Sequence, residues 1–189
     1  VTPMSDVDDY ILDSIRTWVW SGFYSPGQVH RLIEDILEEG ADEEMLRASV
    51  QPEFDQKKAD EATWPETTDC DRLDNAFELL NAQGIIAPHN TGYTMSDSQE
   101  DVGDALRQRG EQGIKGSCFY HGQDRDRAIN GGGLMLAFGD LNDNATQITE
   151  VGAIIASVLQ ECGLPVDWDG DPKTRLHLPH FDWKQRSTY

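Results

Sequence analysis

The chain is poor in cysteine, in basic residues and in long apolar runs, and each shortage excludes something. Its three cysteines, Cys70, Cys118 and Cys162, lie far apart, are odd in number and form no C-x-x-C pair. Neither a disulfide framework nor a structural zinc site is expected, and a reducing, cytoplasmic setting is. Only 15 lysines and arginines stand against 35 aspartates and glutamates. The resulting formal charge of -20 repels phosphodiester backbones and anionic headgroups, which argues against direct binding to nucleic acid or to a membrane surface. No run of about 18 apolar residues occurs, so no membrane-spanning helix is expected. The opening string "VTPMSDVDDY" is acidic with no apolar stretch behind it, which predicts neither a secretory signal nor a transit peptide. There is no phosphate loop, internal repeat or low-complexity tract, so no motif by itself names an activity.

What is present is charge and architecture. A balance this negative has three readings: a solubility or salt-tolerance surface, a platform for a basic protein partner, or a mimic of nucleic acid that blocks a basic groove. Asp outnumbers Glu and Arg outnumbers Lys, which fits the first. A length of 189 residues accommodates one full core, or one α+β domain with a helical extension.

Capping signals divide the chain. Ser5 and Asp8 open a helix that carries Val7, Ile11, Ile15 and Val19 on one face, and Ser25 with Pro26 and Gln28 opens a second that carries Val29, Leu32, Ile33 and Ile36. A third runs through "DEEMLRASV". The following "PEFDQKKADEATWPETT" lacks periodicity and marks the lobe boundary, giving an N-terminal helical lobe and linker over residues 1–67 and a second domain over 68–189. In that second domain Thr68 and Asp71 cap a helix with Leu73, Ala76, Phe77 and Leu80. Next come a strand at "GIIAPHN", a helix capped by Ser96 with Gln99, strands at "GSCFYH" and "GLMLAFGDL", a helix capped by Asn144, and a hairpin of "PVDWDG" with "TRLHL". Strand, helix, strand, strand, helix, strand is the order of a ferredoxin-like split βαβ arrangement, an antiparallel sheet with helices on one face. Trp18, Trp20, Phe23 and Tyr24 are expected in the core of the first lobe, with an exposed partner patch as the alternative.

The strings "CFYHGQD" and "GGGLMLAFG", with "DRLDNAFELLNAQGI" upstream and "VDWDG" near the end, resemble a bacterial domain family of unknown function. That resemblance implies a shared fold and no chemistry. A fainter one links "LIEDILEEGADEEML", "AFELLNAQGI" and "LQECGLPVDWDG" to type B regulators of ribonuclease E activity, small acidic proteins that bind and inhibit an RNA-degrading enzyme. It implies partner binding.

The densest polar string is "SCFYHGQDRDRAINGGG". Strand alternation puts Cys118 and Tyr120 on one face and Phe119 and His121 on the other, which excludes a Cys118–His121 nucleophile and base pair. The glycines Gly131 to Gly133 follow a short helix and precede a strand, the reverse of a phosphate cradle, and are expected to end that helix. His121, Asp124 and Asp126 remain the catalytic candidates, as a base with an orienting carboxylate. In the structural alternative Asp124 caps the short helix and His121 bonds to backbone. Tyr120, Gln123, Arg125, Trp168 and Asp169 are the binding candidates. The ferredoxin-like order sends His89 to the opposite end of the sheet from His121, about 15 Å away, and brings Trp168 and Asp169 near His121. Asp167, Asp169 and Asp171 lack the glycine and terminal glutamate of a calcium loop. His177 and His180 flank a proline and are expected to pack rather than ligate. No metal and no cofactor are expected. The reading is of a non-catalytic binding or regulatory protein, with a hydrolase or other acid-base enzyme built on His121 as the alternative.

Overall fold

The computed structural model describes residues 5–188, so the leader-peptide expectation falls partly outside the described residues. The fold is mixed α+β, with seven helices and one small four-stranded sheet among the described residues. The chain divides into two compact units: one takes the residues up to Glu66 and the segment from Lys184 onward, the other Thr67–Trp183.

In the first unit, α1 (Asp6–Ser21) opens on a reciprocal capping box between Ser5 and Asp8, and α2 (Pro26–Ile36) on one between Ser25 and Gln28. Their apolar stripes meet α3 (Glu43–Glu61), and Ile11, Ile15, Val19, Val29, Ile33, Leu46, Val50 and Phe54 form one core. Trp18, Trp20 and Tyr24 pack partly buried against it. α3 runs through Pro52 to Glu61, well past the stretch its periodicity marks. An interior proline costs about 3 kcal/mol, but Pro52 is exposed while Val50 and Phe54 on either side are buried. Burying two such side chains returns about 1.5–3 kcal/mol each, enough to carry the helix across the break.

The returning C-terminal segment is held by a buried cation. The Lys57 side chain is 1% exposed, pairs with Glu61 at 2.5 Å and donates to Ser187 Oγ at 2.7 Å. The Ser187 N–H donates to the same Glu61 oxygen at 3.0 Å. Burial alone would raise the Glu61 carboxyl, but the hydrogen bonds from Lys57 and Ser187 outweigh it and hold it below its ordinary value. A boundary at residue 67 leaves this segment in the second domain. It belongs to the first unit because a buried ammonium needs acceptors.

The second unit begins with α4 (Asp69–Ala82), capped by Thr68 and Asp71. Then follow β1 (Ile85–Ile86), α5 (Met95–Arg109), β2 (Gly116–Phe119), α6 (Gly122–Ile129), β3 (Leu134–Gly139), α7 (Ala145–Glu161) and β4 (Leu176–Leu178). α5 starts two residues earlier than its serine signal: Thr94 accepts from the Asp97 N–H, and Asp97 reaches back to the Thr94 N–H.

The sheet order is β1-β2-β3-β4, with β1 and β2 parallel and the other pairs antiparallel. This corrects the ferredoxin-like expectation. A split βαβ would insert a strand between β1 and β2, whereas here they are direct neighbours joined through α5, the default for consecutive strands. The helices also occupy both faces. A Cβ on Gly116 would lie 3.1 Å from Val151 of α7, and Gly152 of α7 sits against Phe138 and Trp168, which assigns α7 to the face of Gly116, Cys118 and Phe138. On the other face Ser117, Phe119 and Ala137 border a cleft whose opposite wall is Met95, Gln99 and Val102 of α5. No helix among the described residues is long and apolar enough to cross a membrane.

Candidate functional site

The polar cluster grows from a helix start. His121 follows β2 in extended backbone and is the N-cap of α6: its Nδ1 accepts the Asp124 N–H at 3.1 Å, and Asp124 Oδ2 accepts the His121 N–H at 3.2 Å. Asp124 is therefore the third residue of the helix and not its cap. An Nδ1 that accepts a backbone N–H carries no proton, so the ring is neutral with its hydrogen on Nε2. Burial, reinforced by the neighbouring Arg175 and Arg127, outweighs the Asp124 charge and lowers the His121 pKa.

The Asp124 carboxylate is fully buried. A carboxylate so placed needs cations and donors around it. Arg175 supplies a two-pronged contact, with Nη1 on Oδ1 at 3.0 Å and Nη2 on Oδ2, and Arg127 Nη1 approaches Oδ1 at 3.4 Å. Asp126 is taken by its neighbour Arg125 at 3.0 Å, and Arg125 also donates to Asn90 Oδ1 at 2.9 Å. His121 and Asp124 are thus brought together, whereas Asp126 pairs with Arg125, and every bond just named is made inside the fold.

The binding candidates are dispersed. Gln123 is exposed, whereas Arg125 is buried. Tyr120 is buried within reach of Phe77, His89 and Trp183, with ring centroids at 6.2, 6.0 and 5.7 Å. Trp168 and Asp169 do not turn toward His121. The Trp168 ring stands edge-on to Phe138 at 5.5 Å, its Nε1–H donates to the carbonyls of Asp171 and Thr174, and Asp169 accepts the Asp171 N–H in an exposed turn. The hairpin does reach the cluster, through Arg175, because Asp167 bridges His177 and so sets the approach of the strand that follows. Cys118 is fully buried and its thiol is pushed far up by that burial. Among the described residues no group of three or more His, Cys, Asp or Glu is placed to hold a metal ion.

The parallel β1–β2 pair also corrects the separation expected for His89. Parallel neighbours end at the same edge of a sheet, so the chain after β1 runs beside the chain after β2. His89 Nδ1 lies 3.0 Å from Tyr120 Oη, and its Nε2 lies 3.1 Å from Asp74 Oδ1. Burial pushes His89 down to about 4, and burial together with the charges of Asp71 and Glu78 pushes Asp74 up to about 6. Neither direction is that of a charged pair. The chain at neutral pH is Tyr120 O–H to a neutral His89, whose Nε2–H donates to Asp74. Sequence reasoning noticed His89 but missed Asp74 and Arg175. Helical spacing from Phe77, which stacks on the His89 ring at 4.5 Å, was the available signal for Asp74.

The chain belongs to the family described as Domain of unknown function (DUF6891), matched over residues 4–187. No curated protein and no solved structure matches it.

Proposed function

For this member of the DUF6891 family we propose a non-catalytic binding role, in which the acidic surface receives a basic protein partner. The observation that carries the reading is the use of the Asp124 carboxylate and the His121 Nδ1 inside the fold, which leaves the strongest catalytic candidates bound to structural tasks. General acid-base work needs a side chain free to exchange a proton with substrate. The partner surface is the run from Glu34 to Glu44 at the end of α2 and the start of α3, where Glu34, Asp35, Glu38, Glu39, Asp42 and Glu43 are all exposed. The likeness of "LIEDILEEGADEEML" to type B regulators of ribonuclease E activity covers this run and supports a regulatory task in the bacterial cytoplasm.

The test is affinity capture with the full chain at low and moderate salt, followed by identification of what is retained. A basic protein held at low salt and released as ionic strength rises is the expected result, because exposed charges more than about 10 Å apart are screened at 0.1 M. Retention of nothing, or retention indifferent to salt, refutes the reading. The acid-base enzyme alternative is tested with His121→Asn, which keeps a capping oxygen. Loss of an activity in a broad substrate screen at unchanged thermal stability would favour the enzyme.

A further inference from the structure

Across the sheet face opposite α7 lies an open cleft of about 380 Å³, within the size range of small-molecule sites. Its floor is Ser117, Phe119, Ala137 and Gly139, and a Cβ built on Gly139 would meet nothing within 4 Å. α5 contributes Met95 and Val102, the end of β3 contributes Asp140 and Asp143, and the segment before β4 contributes Lys173 and Arg175.

The polar groups around it are incompletely satisfied. Among the described residues two buried side-chain atoms lack a hydrogen-bond partner, Arg175 Nε and Asp140 Oδ2, and both residues line this cleft. Leaving such a group unpaired is costly, more so when it is charged, so native folds keep few of them. Lys173 and Asp143 are both exposed on the rim of the cleft and form no ion pair among the described residues. Arg175 gives its two terminal nitrogens to Asp124 and Asp140 accepts the Asn144 N–H through Oδ1, so what the cleft holds in reserve is Arg175 Nε, Asp140 Oδ2 and the exposed Lys173 and Asp143, beside apolar Met95, Val102 and Phe119.

That combination selects by charge. A simple anion meets Asp140 and Asp143, and a simple cation meets Lys173 and Arg175. A molecule with one charge of each sign satisfies both walls. We infer that this cleft binds a small zwitterion with an apolar side chain, a free amino acid or dipeptide, with its carboxylate toward Lys173 and Arg175 and its ammonium toward Asp140 and Asp143. The apolar side chain lies over Phe119 and Ala137. This goes beyond the partner-binding reading and does not depend on it, since the acidic run from Glu34 to Glu44 belongs to the other unit.

The experiment is calorimetric titration of the full chain with leucine, methionine and alanyl-leucine, with N-acetyl-leucine and leucinamide as analogues that each lack one charge. At least one zwitterion is expected to bind saturably, and its one-charge analogues about tenfold more weakly, the worth of one charge-assisted contact. Lys173→Met and Asp143→Asn change exposed side chains, so both keep the parent thermal midpoint and each weakens binding by a similar factor. Absence of saturable binding by any of the three, equal binding of the capped analogues, or parent affinity in both variants overturns the inference. Partner capture by the same two variants is expected to be unchanged, so either proposal can fail alone.

Discussion

Replacing Asp124 with Asn isolates what the buried carboxylate contributes. The change keeps the shape, and the amide oxygen can still accept the His121 N–H, so the reciprocal cap survives while the charge goes. What is lost is the partner of Arg175. Breaking a fully buried pair costs about 3–5 kcal/mol, whereas a surface pair is worth about 0–1 kcal/mol. Asp124 is fully buried but the Arg175 side chain is 27% exposed, and water can therefore solvate the abandoned guanidinium in part. The expected loss is on the order of 3 kcal/mol. At about 3 °C per kcal/mol for a chain of this length, the thermal midpoint should fall by about 9 °C. Equilibrium urea unfolding gives the free energy directly, and Arg175→Met with the double variant completes a cycle in which the double variant is less damaged than the sum of the singles. A loss below about 1 kcal/mol for Asp124→Asn would show that the cluster is held by packing and not by this pair.

Three further outcomes are expected. Because the folded His89 pKa is depressed to about 4, its contribution to stability is full above its unfolded value near 6.5 and is lost as pH falls toward 4. The raised Asp74 carboxyl acts oppositely, with a contribution full below its unfolded value and lost as pH rises through about 6. Urea midpoints of the parent relative to Asp74→Asn should therefore improve as pH drops from 7 to 5, and an NMR midpoint for His89 at its unperturbed value would refute the buried neutral ring. Gly84→Ala places a Cβ 2.2 Å from the Gly113 carbonyl oxygen at a φ of +86°, so chemical denaturation should show a loss of about 2 kcal/mol or more; a near-neutral result would mean that the turn relaxes freely. In the native protein a thiol reagent should modify Cys162 and spare Cys70 and Cys118, which are 2% and 0% exposed, until denaturant is added. Rapid modification of all three would contradict that burial.

Local chemistry was legible in the sequence and long-range pairing was not. The boxes at Ser5 and Asp8, Ser25 and Gln28, and Thr68 and Asp71 each lie within four residues, and the structure shows all three. α5 slipped because Thr94 with Asp97 and Ser96 with Gln99 offer the same spacing two positions apart, and only backbone context chooses between them. The strand order was misread because β1 has two residues, and the neighbour it takes depends on partners distant in the chain. His89 was misplaced by a different expectation, that the strands flanking α5 end at opposite edges, whereas β1 and β2 run parallel. Histidine is not among the favoured capping residues, and Arg175 lies 51 positions from the carboxylate it neutralises, so the arrangement of the cluster had no local signature.

Glu61 and Ser187 are 126 positions apart, and most of the intervening chain is the second unit. While that unit is unfolded, joining the two residues closes a long flexible loop at an entropic cost on the order of 4 kcal/mol, against about 1 kcal/mol returned by each hydrogen bond of Ser187. Once it is folded, most of that freedom has already gone. The C-terminal segment is then a latch whose closure reports on the second unit. If that unit opens, the closure cost returns and offsets most of what the bonds of Ser187 and Arg186 contribute, so the latch that gives Lys57 its Ser187 acceptor is weakened and instability passes from one unit to the other through chain connectivity.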